Sequence, residues 1–219
     1  MDRLNELWPE FWQAALETLY MTTVALALSG VLGTIIGIGL YVTRAGGLMP
    51  NRVLNAIIGF FVNFFRPIPF VIFIAVLMPV TRAVIGIGIG VNAGAIAIGI
   101  AASFAIGRIV EQHLVSVSPG VIEAARSMGA GPWRILFTVA IPESLGPLIL
   151  GYTFIVVALI DMTAMAGLVG GGGLGAFAQI YGFRQFEPVV MWAAIILIVA
   201  FVHLVQTLGA RLARKIMRR

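Results

Sequence analysis

The sequence predicts an all-α integral membrane protein: five transmembrane helices and one cytoplasmic helix–turn–helix loop. Composition is the first reason. Of 219 residues, 60% are apolar and 11% charged, against about 45–50% and about 25% in an ordinary soluble domain. A soluble globule this small could not hide that much apolar surface, so the excess must face lipid. The second reason is spacing. The apolar stretches make five segments near the ~20 residues that a spanning helix needs, and they fill residues 1–219 as one domain. The third is that 108–143 is the single long polar stretch.

The chain opens with Asp2, Glu6, Glu10 and Glu17 against one Arg3. A signal peptide opens with positive charge, so this start is expected to be retained. Trp8, Phe11 and Trp12 flank Pro9, which suits a first helical turn and an interfacial anchor.

Span 1 covers about 18–42, with Ser29, Gly33 and Gly37 four apart, and Arg44 and Gly46-Gly47 end it. Such a small-residue stripe lets another helix approach closely. Span 2 covers about 53–80 and is interrupted by Arg66-Pro67-Ile68-Pro69, where proline removes hydrogen bonds and kinks the helix. Asn55–Phe65 is expected to lie partly in the cytoplasmic interface, with Arg66 at headgroup depth and Ile68–Met78 crossing with tilt. Pro79, Thr81 and Arg82 are expected to turn the chain.

Span 3 covers about 84–107, with Gly86, Gly90 and Gly94 on one stripe and Ala95, Gly99, Ser103 and Gly107 on another. Gly86–Gly90 also alternates as a strand would, but an open strand in lipid leaves backbone groups unpaired, so helix is expected. Span 4 covers about 145–166 and leads into a glycine loop, Gly167–Gly175, expected to be mobile and external. Span 5 covers about 188–208, and the basic tail of Arg211, Arg214, Lys215, Arg218 and Arg219 suits anionic headgroups.

Composition narrows the chemistry. With no Cys there is no disulfide, thiolate nucleophile or Cys-ligated metal. The single Lys, Lys215, follows no glycine-rich turn, so the chain has no ATP-binding P-loop. His113 and His203 are far apart, and with Asp161 they make no metal or intramembrane catalytic cluster. No cofactor and no metal are expected. Three arginines on a tethered loop make a poor nucleic-acid site.

Cytoplasmic segments carry the excess of Lys and Arg. A cytoplasmic C-terminus puts 11 of the 14 basic residues inside and leaves Arg3, Arg82 and Arg184 outside. The N-terminus is then external and the 108–143 loop cytoplasmic.

Within that loop Ser118-Pro119 starts a helix as N-cap and first residue, and Val121, Ile122, Ala125 and Met128 follow at helical spacing. Gly129 ends it. Gly131-Pro132 opens a second helix at Trp133 that Pro142 closes or kinks. Glu123-Ala124-Ala125, three residues, Gly129, nine residues, and Val139-Ala140-Ile141-Pro142 resemble the EAA loop of ABC-importer membrane subunits. The resemblance implies that Glu123, Ala124, Ala125, Gly129 and Pro142 belong to a surface that docks into a cleft on a cytoplasmic ATPase. Small Ala124 and Ala125 would seat deeply, while Glu123 would pair with a basic group or cap locally.

Glu17-Thr18-Leu19-Tyr20-Met21-Thr22, Tyr41-Val42-Thr43-Arg44, Asn63-Phe64-Phe65-Arg66-Pro67-Ile68-Pro69-Phe70 and Ala164-Met165-Ala166-Gly167 are similar to segments of the methionine-importer permeases. This likeness covers nearly the whole chain. It implies a multi-pass protein of a bacterial inner membrane with no catalysis of its own, working with a second copy, two ATPase subunits and an external substrate-binding protein. The cargo it implies is methionine, with betaine or another amino acid as the alternative; a passive channel would need no ATPase-docking loop. Asp161 is the one acid deep in a span, where a carboxylate is costly and functional by default. It departs from the small uncharged residue usual there in that family. Asp161, Met162, Thr163 and Met165 are the expected substrate-pathway residues, with Asp161 meeting an ammonium group and the methionines giving soft apolar contact; the alternative for Asp161 is a bond to local hydroxyls near Thr163.

Overall fold

The structure, a computed structural model, describes residues 2–217, so Arg218 and Arg219 of the basic tail lie outside the described residues. It is helical throughout: α1 (Asp2–Glu6), α2 (Trp8–Thr43), α3 (Arg52–Phe65), α4 (Phe70–Ile85), α5 (Val91–Val115), α6 (Pro119–Ser127), α7 (Pro132–Ile135), α8 (Ile141–Leu168), α9 (Gly173–Phe177) and α10 (Pro188–Met217). Two π-helical segments, Leu136–Ala140 and Ala178–Phe183, precede α8 and follow α9. Four helical runs are long and apolar enough to cross a membrane: α2, α5, Pro132–Leu168 and α10. The fifth candidate span is the broken pair α3–α4, bent by 113° at Arg66–Pro69. Pro69 disfavours helical backbone at Ile68 and lacks an N–H, so the break falls there.

The centre of the bundle is the contact between α2 and α5. A Cβ on Gly33 would lie 2.5 Å from Ile106 Cβ and 2.8 Å from the Ser103 carbonyl oxygen. One on Gly37 would lie 2.6 Å from the Gly107 oxygen and from Val110 Cβ, and one on Gly107 2.6 Å from Ile36 Cγ2. The two small-residue stripes therefore pack against each other within one chain. They are spent there, and are not the surface on which a second copy could approach. In lipid, where burying apolar groups between helices gains nothing over lipid tails, such close packing is the main cohesive term. Hydroxyls along α2 bond their own helix, Thr22 to the Thr18 carbonyl at 2.8 Å and Ser29 to that of Ala25 at 2.6 Å, so these groups are paired where water is absent.

Around this pair, α8 bonds α2 through the Tyr152 hydroxyl to Thr34 Oγ1 and the Gly30 carbonyl. The short helix α3 docks on α5 by Arg108 to Asn63 Oδ1 at 2.7 Å and by a Phe65–Phe104 stack at 4.9 Å. Its other face exposes Val53, Ile57, Phe60, Phe61 and Phe64. That is the pattern of a helix lying in a membrane interface.

Several sequence expectations need correction. Pro79, Thr81 and Arg82 do not turn the chain: α4 runs through Pro79, and the Thr81 hydroxyl donates to the Met78 carbonyl at 3.0 Å. The turn comes at Gly86, whose φ of 76° ends α4, and Gly90, at φ 114°, precedes α5. Gly86–Gly90 is therefore a loop, because these left-handed glycines suit a sharp connection and not a helical stripe. Pro142 closes nothing either. The Ile141 N–H bonds the Leu136 carbonyl, five residues back, and this widened turn carries one helical run from Pro132 to Leu168 past a residue that has no N–H to give. The glycine loop contains α9, and the described part of the basic tail is helical within α10.

Replacing Gly37 by leucine should cost about 1–3 kcal/mol, because the Gly107 carbonyl cannot move aside. Gly59→Ala, where a Cβ would meet nothing within 4 Å, should hold or raise stability by about 0.5–1 kcal/mol. Thermal unfolding of detergent-purified protein checks both: the Tm falls for the first and not for the second.

Candidate functional site: the α6 surface and the α8 face

The first candidate surface is built at the Arg44 end of α2. Pro119 supplies the first turn of α6, and the chain leaves it at Gly129, whose φ is 82°. The Gly129 N–H bonds the Arg126 carbonyl at 2.9 Å and the Ala130 N–H bonds that of Ala125 at 3.1 Å. This is the left-handed C′ geometry that favours glycine. Ala125, 4% exposed, faces the bundle, and Arg126 Nη2 donates to the Gly47 carbonyl at 3.0 Å, tying α6 to the turn after α2. Beneath it lies a polar notch of about 110 Å³ whose walls include Tyr41, Arg44, Glu123 and Arg126. The Arg44 guanidinium sits over the Tyr41 ring, 5.1 Å from its centroid, which holds it at that end.

The opposite face of α6 is open. Val121, Ala124 and Met128 are exposed at helical spacing, Met128 by 81%, and Glu123 stands beside them. Among the described residues Glu123 makes no ion pair. Trp133 and Phe137, further along the loop, are exposed and stacked at 6.2 Å. An exposed apolar patch of this kind suits contact with another protein or with the membrane, and helix-in-groove docking uses apolar anchors at this spacing. Pro142 is exposed at the start of α8, and α7 runs into that long helix without a break.

The second candidate surface lies along α8. Leu150, Phe154, Asp161 and Leu168 are exposed. Their spacing of four, seven and seven places them on one helical face. Among the described residues Asp161 has no hydrogen-bonded partner and no ion pair. The Thr163 hydroxyl is turned inward and donates to the Ile160 carbonyl at 2.6 Å, so it does not hold Asp161. Thr163 is buried, and Met162 packs half-buried against the main core. Met165 is half-buried and lines an apolar groove of about 420 Å³ between α8, α9 and α10, beside Leu168 and Gln179. Of the four pathway residues expected from sequence, the structure thus brings Asp161 and Met165 to the open side and turns Thr163 away from it.

Sequence reasoning missed the groups that fix the far end. The Glu17 carboxylate accepts the Gly173 N–H at 2.8 Å, and Thr18 Oγ1 accepts the Leu174 N–H at 2.8 Å. The acid placed just ahead of span 1 was the available signal. Among the described residues no group of three or more His, Asp or Glu could hold a metal ion.

Comparison with known proteins extends this geometry. A probable D-methionine transport system permease, MetI of Vibrio cholerae, is 36% identical over 93% of this chain and 90% of its own. The methionine import system permease MetP of Bacillus subtilis is 41% identical over 91% and 90%. Among solved structures, the native crystal form of the MetNI methionine ABC transporter in inward-facing conformations matches at TM-score 0.93 and 36% identity, covering 97% of this chain and 98% of that one. An amino acid ABC transporter with histidines matches at TM-score 0.74 and 19% identity, which speaks for the fold alone. Residues 29–218, which hold all five α6-loop positions and the α8 face, match the binding-protein-dependent transport system inner membrane component, and the chain belongs to that family.

Proposed function

We propose that this chain is the permease subunit of an ATP-driven importer of methionine, working as two copies with two cytoplasmic ATPase subunits and an external binding protein. The end-to-end match to a methionine transporter in an inward-facing conformation carries this reading, and the methionine permeases among its relatives agree with it. The chain itself catalyses nothing; ATP is hydrolysed by the partner. The α6 surface of Val121, Ala124 and Met128 supplies the coupling contact, with Glu123 and Gly129 shaping it.

The coupling end then faces the cytoplasm and the Glu17 end faces outward, with the N-terminus external and the C-terminus cytoplasmic. The basic residues favour this direction, since Arg44, Arg126, Arg134 and the α10 tail are at the coupling side and Arg3 and Arg184 are at the other. The exposed α8 face of each copy lines the path between them. There the Asp161 carboxylate meets the ammonium group of the amino acid, and Met165 offers a soft, apolar contact. Closure of the ATPases on ATP brings the two α6 helices together and opens the outer end; hydrolysis returns the inward-facing state.

Uptake of labelled methionine, beside other amino acids and betaine, by the complex in proteoliposomes tests the proposal. Asp161→Asn and Met165→Ala should change the rate or the preference at least several-fold while leaving insertion intact; unchanged values in both would place the pathway elsewhere. Gly129→Val, which forces a β-branched residue to φ 82° at a cost of roughly 1–2 kcal/mol, should lower transport per ATP hydrolysed. Glu123→Lys should do the same, and normal coupling in both would reject the docking role. Single cysteines at Asn5, Ala124 and Lys215 should react with an impermeant maleimide from outside, inside and inside; the reverse pattern inverts the orientation.

A further inference from the structure

The segment after α8 is tied sideways to α2. Glu17 Oε2 and Thr18 Oγ1 accept the N–H groups of Gly173 and Leu174, each at 2.8 Å. These are two of the N–H groups that the first turn of α9 leaves without an intrahelical partner. Gly172, ahead of α9 at φ 78°, supplies no side chain to cap it, so the acceptors come from 156 residues away in sequence. The other Glu17 oxygen accepts Gln13 Nε2 at 2.9 Å, which fixes the carboxylate. A Cβ on Gly172 would lie 2.7 Å from Glu17 Oε2, so the backbone approaches the acid as closely as a glycine permits. A bond from an amide to a carboxylate is about twice as strong as one between neutral groups. Thr18 to Arg44 spans about 39 Å of helix, so this tie and the coupling helix sit at opposite ends of one rigid rod.

We propose that Glu17 and Thr18 are positioning residues that form an external latch: they hold the Gly170–Leu174 segment against α2 in the inward-facing state and release it when the outer end opens. The inference rests on the importer function proposed above. It follows from where the bonds lie. Both acceptors are on α2 and both donors on the chain that leaves α8, so any opening between α2 and the end of α8 must break them. Bonds present in one state and absent in the other bias the equilibrium toward the first. A static cap, intact in both states, would stabilise the fold without moving that balance.

ATP hydrolysis by the complete permease–ATPase complex in nanodiscs, without binding protein, separates the two. Thr18→Val keeps the shape and removes the acceptor; Glu17→Ala removes the other. A latch predicts that each raises binding-protein-independent hydrolysis about fivefold, the weight of one such bond. A cysteine at Ala176, beside the latch, should label faster from outside in the same variants. Thr18→Ser, which keeps the hydroxyl, should behave as wild type. If Glu17→Ala fails to assemble, Glu17→Gln replaces it and should shift both readouts the same way to a smaller extent. Hydrolysis and labelling at or below wild-type values in the assembled variants overturn the latch. The importer reading fails separately, if methionine-loaded binding protein does not stimulate hydrolysis by the wild-type complex.

Discussion

The close approach of α2 and α5 is the constraint from which the rest of the structure follows. Gly33 and Gly37 on one helix and Gly107 on the other leave no space for a side chain between backbones. In lipid, where apolar burial between helices carries little gain, that contact makes the two helices one body. Everything with a candidate role is hung from its ends. At the Arg44 end the turn after α2 receives Arg126 of α6. At the other end Glu17 and Thr18 receive the start of α9. The helix α8, bonded to α2 through Tyr152 and Thr34, runs between them and presents Asp161 on its open face.

This arrangement explains how a chain with almost no titratable chemistry can do work. The π segment Leu136–Ala140 keeps the backbone helical from α7 past Pro142 into α8, so those elements are joined without a loop. The proposed switching needs two packings that differ by only a few kcal/mol. Two hydrogen bonds at the Glu17 end are of the right order to set such a balance.

Much of the fold was legible in the sequence, for physical reasons that differ by element. The five crossings follow from lipid, which allows only helices with every backbone group paired. The break at Arg66–Pro69 and the ends of α6 at Pro119 and Gly129 were legible because proline and glycine act through local backbone geometry. What was not legible depended on distance. That the glycine stripes of α2 and α5 meet each other, and not a second copy, is a matter of which helices become neighbours. Gly86 and Gly90 fit the stripe spacing but sit in left-handed turns. Glu17 read as one acid among four near the start, since its partner N–H groups lie 156 residues on. Of the candidate site, the helical form of the α6 loop was legible from its prolines and glycines, whereas its docking role was expected only from the resemblance to the EAA loop. The inward turn of Thr163 was not legible, because the side of α8 that meets the core is set by α5 and α2.

The central claim is that the two ends of the bundle move in opposite senses during one cycle. Spin labels at Met128, exposed at the end of α6, and separately at Gln185, exposed at the far end, give the distance between the two copies at each end in the reconstituted complex. On ATP binding the Met128 pair should draw together by several ångströms while the Gln185 pair moves apart. Both distances changing in the same sense, or the outer pair staying fixed while the inner pair closes, would contradict the account.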